Sequence, residues 1–458
     1  MSVTSFSRLG SANAYDNALR NLQTRQTSLA NLQENLTSGK KITSPADDPT
    51  GAAQAERAMN RIARIATDQR ALESQRNAIL AAESTLGDIT DALQNFRELV
   101  VSAGNGTHTP AERTTIAGQL TGLKEQILSL ANAKDSNGLP LFAALGSALA
   151  PFVGPQSAPP DYTFDGLPGQ SAAGAYAIPF TLDGEAAFMN QPARDAVFNI
   201  SVGNTTTGVI PNDRALVTDN MAVTSLATVA STAALAQATP GAPDYPTYTV
   251  SFTALDSTTT PGTTTVTYDI TESPLVSGAL NPIVGGATAS YKTGEASKIA
   301  ITGIPGLSFN IIGTPPSTDK NAAPSTVIVG SPAVGDTITV TPKRSVFSVL
   351  DTAITDIGTA GNKNAATQAV SQALHNIDIS MSRVSAIRGQ AGDLLGRADR
   401  ITATNDKRNV EQEGNRSRAE DLDMIKGVSD FQNQQTGYQA ALQSYAQVQK
   451  LSLFNFIS

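Results

Sequence analysis

The sequence predicts a mainly α-helical protein with a β-rich insert. The N- and C-terminal helices are expected to pair in a coiled-coil-like bundle, with an antiparallel β middle domain. Of the 24 prolines, 4 precede residue 141, 20 lie between 141 and 345, and none follows Pro342. Basic and acidic residues number 14 and 14 before residue 141, 7 and 14 in the insert, and 11 and 12 after it, so the insert holds −7 of the net charge of −8. Near-neutral helical ends can pack against copies of themselves, whereas an acidic insert repels its copies.

The first helix is predicted from Tyr15 by a leucine seam that recurs roughly every 3.5 residues. A coiled-coil-like helix and an ordinary amphipathic helix on its own core both fit so short a seam. We expect the seam to form part of an assembly interface, and its members are Leu22, Leu29, Leu32 and Leu36.

A polar turn follows the first helix. Ser38 and Gly39 come after the last apolar position, and a glycine there can supply the left-handed residue that commonly ends a helix. Asp48 before Pro49 fits an N-cap carboxylate with proline at the first helical position. Asp47 and Asp48 could instead bind a metal or act as an acid and base, but no His or Cys lies near them in the sequence. Capping is therefore the favoured interpretation of this predicted inter-domain turn.

Long helices are predicted on both sides of the insert. Apolar residues keep a helical spacing from Met59 to about Ala103, which makes a rod of roughly 75 Å. Thr109, Pro110 and Glu112 fit a capping box at the start of the next helix. After the insert, a helix is expected from Val346, and a periodic pattern continues from about Val370 towards the C-terminus.

The insert contains short runs of alternating polarity, typical of antiparallel strands. They are Tyr248 to Phe252, Thr265 to Ile270 and Asp336 to Val340. Turns rich in Gly and Pro separate them.

The C-terminus is unusually apolar, since chain ends are normally polar and frayed. Docking into the chain's own core and contact with neighbouring subunits both remain possible reasons. We expect assembly contacts, and the residues concerned are Leu451, Leu453, Phe454, Phe456 and Ile457.

The sequence offers little for catalysis. There are no cysteines, and the two histidines, His108 and His375, have no partner placed by sequence to form a triad. No Walker-type loop, GxSxG elbow or HExxH motif occurs. We therefore expect no enzyme activity, cofactor or metal. The charge distribution disfavours nucleic acid, and no apolar run approaches the roughly 18 residues needed to cross a bilayer. The first 30 residues also lack the layout of a secretory signal.

Three stretches together resemble the bacterial flagellin superfamily, in the form found at the hook-filament junction. They are the turn from Thr37 to Ile42 followed by Asp47, Asp48 and Pro49, the region from Ser102 to Ala143, and the ending Leu451 to Ile457. The resemblance covers residues 1 to 150 and 346 to 458. Among the departures, Ala144 and Leu145 follow Ala143 where the family often has glycine and an aromatic or polar residue.

The resemblance implies an extracellular structural subunit of the flagellum, exported without a cleaved signal peptide by the flagellar type III apparatus with the help of a chaperone. It implies a ring of about eleven copies, seated on the preceding hook-associated junction protein and offering flagellin a surface for polymerisation. A filament-forming flagellin, and a surface adhesin or polysaccharide-binding module carried by the insert, are the alternatives.

We expect three parts in the chain. An inner domain would pair residues 1–45 with 408–458, a helical bundle would pair 46–150 with 346–407, and an outer β-rich domain would comprise 151–345.

Overall fold

The computed structural model describes residues 4–157, 161–169, 176–204, 216–239, 245–256, 259–276, 281–292, 297–313 and 335–457. Before residue 16 and after residue 447 only the backbone is described. The chain divides into two compact units, Met1–Leu72 with Asp399–Ser458, and Glu73–Ala398. The expected division into three parts stays a prediction.

Helices make up both ends of the described chain. In chain order they are α1 (Thr4–Ser38), α2 (Pro49–Ala103), α3 (Pro110–Ala131), α4 (Gly184–Phe188), α5 (Pro192–Asp195), α6 (Leu226–Ala238), α7 (Val346–Gly358), α8 (Lys363–Glu420) and α9 (Met424–Ile457).

The strands lie between α3 and α7. They are β1 (Phe152–Val153), β2 (Thr163–Phe164), β3 (Phe198–Asn204), β4 (Val217–Thr218), β5 (Ala222–Val223), β6 (Thr247–Asp256), β7 (Thr263–Ser273), β8 (Val284–Lys292), β9 (Ser297–Ile304), β10 (Leu307–Gly313) and β11 (Asp336–Pro342).

Within the unit of residues 73–398, α2 and α8 run antiparallel with a heptad core. Arg388 of α8 forms an ion pair with Glu83 of α2 at 2.8 Å, and Asp378 of α8 forms one with Arg97 of α2 at 2.7 Å. Higher residue numbers on α8 therefore lie beside lower numbers on α2, so the two helices run in opposite directions. A repeat of seven residues keeps one stripe of each helix facing its partner. The fully buried residues of these stripes are Ile79, Leu86, Leu93 and Val100 on α2, and Ile377, Val384 and Ala391 on α8.

The main sheet is antiparallel and has the strand order β3-β11-β6-β7-β8. Val340 of β11 lies opposite Ile200 of β3 and Tyr248 of β6. Burial alternates along β7 and the first part of β6, because successive side chains of a strand point to opposite faces. Three of these strands confirm the predictions made from alternating polarity.

A smaller sheet is built on β10, which pairs with β9, β4 and β5, all antiparallel. Its residues Ile301 and Phe309 share one buried cluster with those of the main sheet. Val229 and Ala233 of α6 belong to the same cluster. Helix α6, which the side chain of Ser225 caps, was not predicted from the sequence.

An aromatic cluster joins β1, α4 and α7. Phe347 of α7 lies 5.5 Å from Phe152, 5.3 Å from Tyr162 and 5.9 Å from Phe188, measured between ring centroids. The chain between α3 and β1 includes Ala144, whose φ of 55° is in the left-handed region that favours glycine. The residue that departs from the family pattern therefore occupies a strained backbone position.

The predicted helices before the insert are confirmed, but the pattern after it is interrupted. Thr109 and Glu112 form the predicted capping box of α3. The periodic pattern from about Val370 to the C-terminus is divided between two helices, because α8 ends at Glu420 and α9 begins at Met424. Heptad periodicity alone missed this break.

Candidate functional site

The turn between α1 and α2 begins at Gly39. Its φ is 70°, which only glycine adopts without strain, and nothing lies within 4 Å of the position of a Cβ atom. The hydroxyl of Ser38 donates to the carbonyl of Asn35, and it accepts from the backbone N–H of Lys40. These hydrogen bonds end α1 at the predicted place.

Asp47 organises the middle of the turn. Its Oδ2 accepts hydrogen bonds from the backbone N–H of Ser44 at 2.7 Å and from the N–H and hydroxyl of Thr43 at 3.1 Å each. The backbone N–H of Asp47 returns a hydrogen bond to the carbonyl of Ser44 at 2.9 Å. The carboxylate thus fixes a local loop.

Asp48 caps α2. Its Oδ1 accepts from the backbone N–H groups of Thr50 and Gly51, both at 3.0 Å, and Pro49 is the first residue of the helix. A Cβ on Gly51 would lie 2.5 Å from Oδ2 of Asp48 and from Cδ1 of Ile42. A larger residue at position 51 would therefore have to displace the side chains of Asp48 and Ile42.

Hydrogen bonding lowers the pKa of both carboxyl groups. For Asp47 the main cause of the lowered pKa is the backbone N–H of Ser44, followed by the hydroxyl of Thr43. For Asp48 it is the backbone N–H of Gly51. Donors that bind the charged form stabilise it. Both side chains thus behave as ionised structural acceptors.

A second chain break lies beside this turn, between α8 and α9. Lys40 pairs with Asp421 as an antiparallel bridge. The backbone N–H of Lys41 donates to the carbonyl of Glu420 at 2.8 Å, and that of Leu422 donates to Gly39 at 2.9 Å. Lys40 also forms an ion pair with Glu420. The turn after α1 and the turn after α8 therefore lie side by side, and backbone hydrogen bonds connect them.

Asp423 restarts the helix after the second break. Its Oδ1 accepts from the backbone N–H groups of Ile425 at 3.1 Å and Lys426 at 3.2 Å. This is the same capping chemistry as at Asp48. An aspartate just ahead of Met424 and Ile425 was the signal available in the sequence for this helix start, which was not predicted.

The predicted leucine seam lies along α1, which packs against α9. A Cβ on Gly427 would lie 3.2 Å from Cδ2 of Leu36, and one on Gly437 would lie 2.8 Å from Nη1 of Arg25. Higher residue numbers on α9 lie beside lower residue numbers on α1, so the two helices are antiparallel. Each seam leucine is half-buried, namely Leu22, Leu29, Leu32 and Leu36. Their role in assembly stays a prediction.

The predicted C-terminal contact residues fall in the last turns of α9, but their side chains lie outside the described part of the chain. They are Leu451, Leu453, Phe454, Phe456 and Ile457. The structure therefore leaves their part in assembly a prediction.

Apolar side chains are exposed on the helices next to the two breaks. Ile425 is 87% exposed and Val410 is 68% exposed, while Met424, Val428 and Met59 are each more than 40% exposed. Such side chains are candidates for contact with another subunit. None of them was predicted from the sequence to lie in the assembly interface.

In the described ranges no group of three or more His, Asp or Glu side chains is placed to hold a metal ion. Burial lowers the pKa of His375, which favours its neutral form. Among the helices described, none is long and apolar enough to cross a membrane.

Comparison with known proteins first gives the class. Residues 11–146 match the family model of the bacterial flagellin N-terminal helical region. This part of the chain contains α1, the turn, α2 and α3. The N-terminal helical part of this chain is thus similar to the corresponding region of bacterial flagellins.

The individual relatives then narrow the class. Flagellar hook-associated protein 3 of Salmonella typhimurium is 33% identical over 154 residues, which is 32% of this chain and 46% of that protein. The match therefore spans less than half of the relative's length. The resemblance inferred from the sequence, to the flagellin superfamily and within it to hook-associated protein 3, is confirmed by these matches.

Solved structures show the same fold. FlgL of Xanthomonas campestris aligns with a TM-score of 0.53 at 22% identity, covering 79% of this chain and 99% of that one. The flagellar junction protein FlgL of Legionella pneumophila aligns with a TM-score of 0.52 at 20% identity, covering 76% and 99%. The predicted fold class, long terminal helices with an antiparallel β middle region, is confirmed.

Proposed function

We propose that this chain is a structural subunit of the bacterial flagellum, located at the junction between hook and filament. The match to hook-associated protein 3, which is 33% identical over 154 residues, carries the proposal. The protein would act outside the cell, without catalysis. It would form a ring of about eleven copies on the preceding hook-associated protein, on which flagellin polymerises.

The paired chain ends support assembly through α1 and α9. The turn at the end of α1 lies beside the turn before α9. Backbone hydrogen bonds link Gly39 to Leu422 and Lys41 to Glu420 there. The exposed Ile425 lies one turn beyond this joint. A subunit with apolar side chains at a rigid joint suits repeated contact with identical neighbours in a closed ring.

A strain lacking this protein tests the proposal. We expect hooks without filaments in electron micrographs, with monomeric flagellin in the medium, and filaments restored when the gene is returned. Normal filaments in the deletion strain would contradict a junction role. Export of this chain through the type III apparatus with a chaperone predicts a second result. When that apparatus is blocked, the chain should no longer be found outside the cell.

The role of the C-terminus is tested by paired substitutions in α9. We expect Phe454→Ala with Phe456→Ala to abolish filament attachment, because the double substitution removes two large apolar side chains from the interface. Asn455→Ala, in the same turn, is the matched control and should leave attachment intact. Attachment that survives the double substitution would remove these residues from the assembly interface.

Abundance separates the junction subunit from the alternative of a filament-forming flagellin. Sheared filaments should contain only traces of this chain if it forms a single ring. If it is the main protein of the filament, the flagellin alternative replaces the proposal.

A further inference from the structure

The unit of residues 73–398 contains a cleft of about 470 Å³ that the flagellar role does not use. It lies between β2, α4, the start of α5, and α6. Its volume falls within the range of small-molecule sites in proteins. The side chains that matter for its chemistry are Phe164, Glu185, Asn190, Gln191, Gln237 and Arg344.

Asn190 is the unusual member of the cleft. It is 5% exposed, yet neither its Oδ1 nor its Nδ2 has a hydrogen-bond partner. Its backbone N–H donates to the carbonyl of Arg344 at 2.7 Å, which fixes the position of the residue. Buried amide groups are nearly always hydrogen-bonded, because leaving both ends unpaired is unfavourable. An unpaired amide on the wall of a cleft points to a ligand that supplies both a donor and an acceptor.

The charged residues of the cleft are already engaged. Oε1 of Glu185 accepts a hydrogen bond from Nε2 of Gln191 at 2.7 Å. Arg344 also takes part in an interaction within the chain. Asn190 carries no charge, so it offers a ligand hydrogen bonds but no ionic partner. The amide of Asn190 instead fits neutral groups, and a pair of neighbouring hydroxyls can donate to its Oδ1 and accept from its Nδ2.

Several of the other residues that line the cleft are apolar, beside the polar Thr163. The ring of Phe164 lines one side, while Met189, Pro192 and Ala233 line others. An apolar wall beside a few polar groups suits a ligand with one carbon-rich face and hydroxyls at its edge. Sugars have this character, since a pyranose ring shows C–H groups on one face.

We propose that this cleft binds a neutral saccharide, with Asn190 holding two adjacent hydroxyl groups. Gln237, exposed on α6, lies at the edge of the cleft. The site would give the outer region of the protein a carbohydrate-binding function that is separate from assembly.

Saturation-transfer NMR on the full-length chain tests the proposal. The probes are glucose, galactose, mannose, rhamnose and N-acetylglucosamine, with glycine as a zwitterionic comparison. We expect transfer to at least one sugar and none to glycine. Asn190→Ala should weaken sugar binding about tenfold or more, because it removes two hydrogen bonds to the sugar. Gln237→Trp should block the cleft without touching the buried core.

The matched control is Asn376→Ala. Asn376 is 3% exposed and its Nδ2 donates to the carbonyl of Phe198, but it lies outside the cleft. It controls for loss of a buried asparagine, and circular dichroism shows that each variant is folded. No transfer to any of these sugars would overturn the proposal and mean that water satisfies Asn190. Binding unchanged by both cleft variants, or transfer to glycine instead, would also overturn it.

Discussion

The carboxylate of Asp351 on α7 connects three parts of the chain. Its Oδ1 lies 2.8 Å from Nζ of Lys124 on α3, and its Oδ2 accepts from the hydroxyl of Tyr162 at 2.5 Å. Tyr162 precedes β2, which lines the cleft. The side chains of Lys124 and Asp351 are 10% and 29% exposed. We predict that Asp351→Ala destabilises this region strongly.

The size of the effect follows from the ion pair and the hydrogen bond that the substitution removes. Removing one partner of a buried ion pair costs about 3 to 5 kcal/mol, because the other charge stays buried. The partial exposure of Asp351 places this case near the lower end. The unpaired hydroxyl of Tyr162 adds about 1 kcal/mol. The total is therefore about 4 kcal/mol, or roughly a thousandfold change in an equilibrium constant.

Amide hydrogen exchange in α3 and α7 is the appropriate assay, because a chain with two units need not unfold in one step. We expect protection there to fall by roughly a thousandfold. Asp378→Ala is the control, since Asp378 and Arg97 form an exposed pair, and exposed pairs contribute about 1 kcal/mol or less. Equal effects of the two substitutions would refute the assignment of Asp351 as a buried connector. Lys124→Met combined with Asp351→Ala should recover part of the stability.

Three further predictions concern the turn and the aromatic cluster. Gly39→Ala should destabilise the joint by about 1 kcal/mol, because the left-handed backbone at this position is unfavourable for alanine. The added methyl group itself would meet no neighbouring atom, and hydrogen exchange near residue 40 measures the effect. The pKa values of Asp47 and Asp48 are lowered below 3.8, so their contribution to the stability of the turn should be complete above about pH 5. That contribution should be lost as the pH falls through the pKa values of the folded state. Hydrogen exchange of residues 43–51, measured against pH, checks this. Phe347→Ala should lower the stability of the aromatic cluster by about 3 to 5 kcal/mol, because it empties the centre of the cluster, and amide hydrogen exchange in α7 measures this.

The first of these predictions has a control variant, and the other two have outcomes that would contradict them. Gly118→Ala, in the middle of α3 with open space around its Cβ, should stabilise that helix by up to about 1 kcal/mol. Asp47→Asn should remove its share of the pH dependence, and a variant that keeps the full dependence would argue against the carboxylate. A loss below about 1 kcal/mol for Phe347→Ala would mean that the cluster collapses around the gap.

Features that depend on neighbours along the chain could be predicted from the sequence. The cap at Asp48, the capping box at Thr109 and the end of α1 at Gly39 involve residues two to four positions apart. The heptads of α2 and the alternating strands are equally local, since the geometry of a helix or a strand sets their period. These local predictions are confirmed, whereas the role of the turn as a joint between domains stays a prediction.

Features that depend on distant residues emerged only from the tertiary structure. The break after Glu420 is stabilised by backbone bonds to Gly39 and Lys41, nearly 380 positions earlier, and no periodic pattern contains that information. The burial of Asn190 depends on elements from separate parts of the insert that fold around it. Asp351 likewise meets Lys124 only because α3 and α7 pack together. Local chemistry sets where elements begin and end, whereas burial and long-range pairing arise when the chain packs.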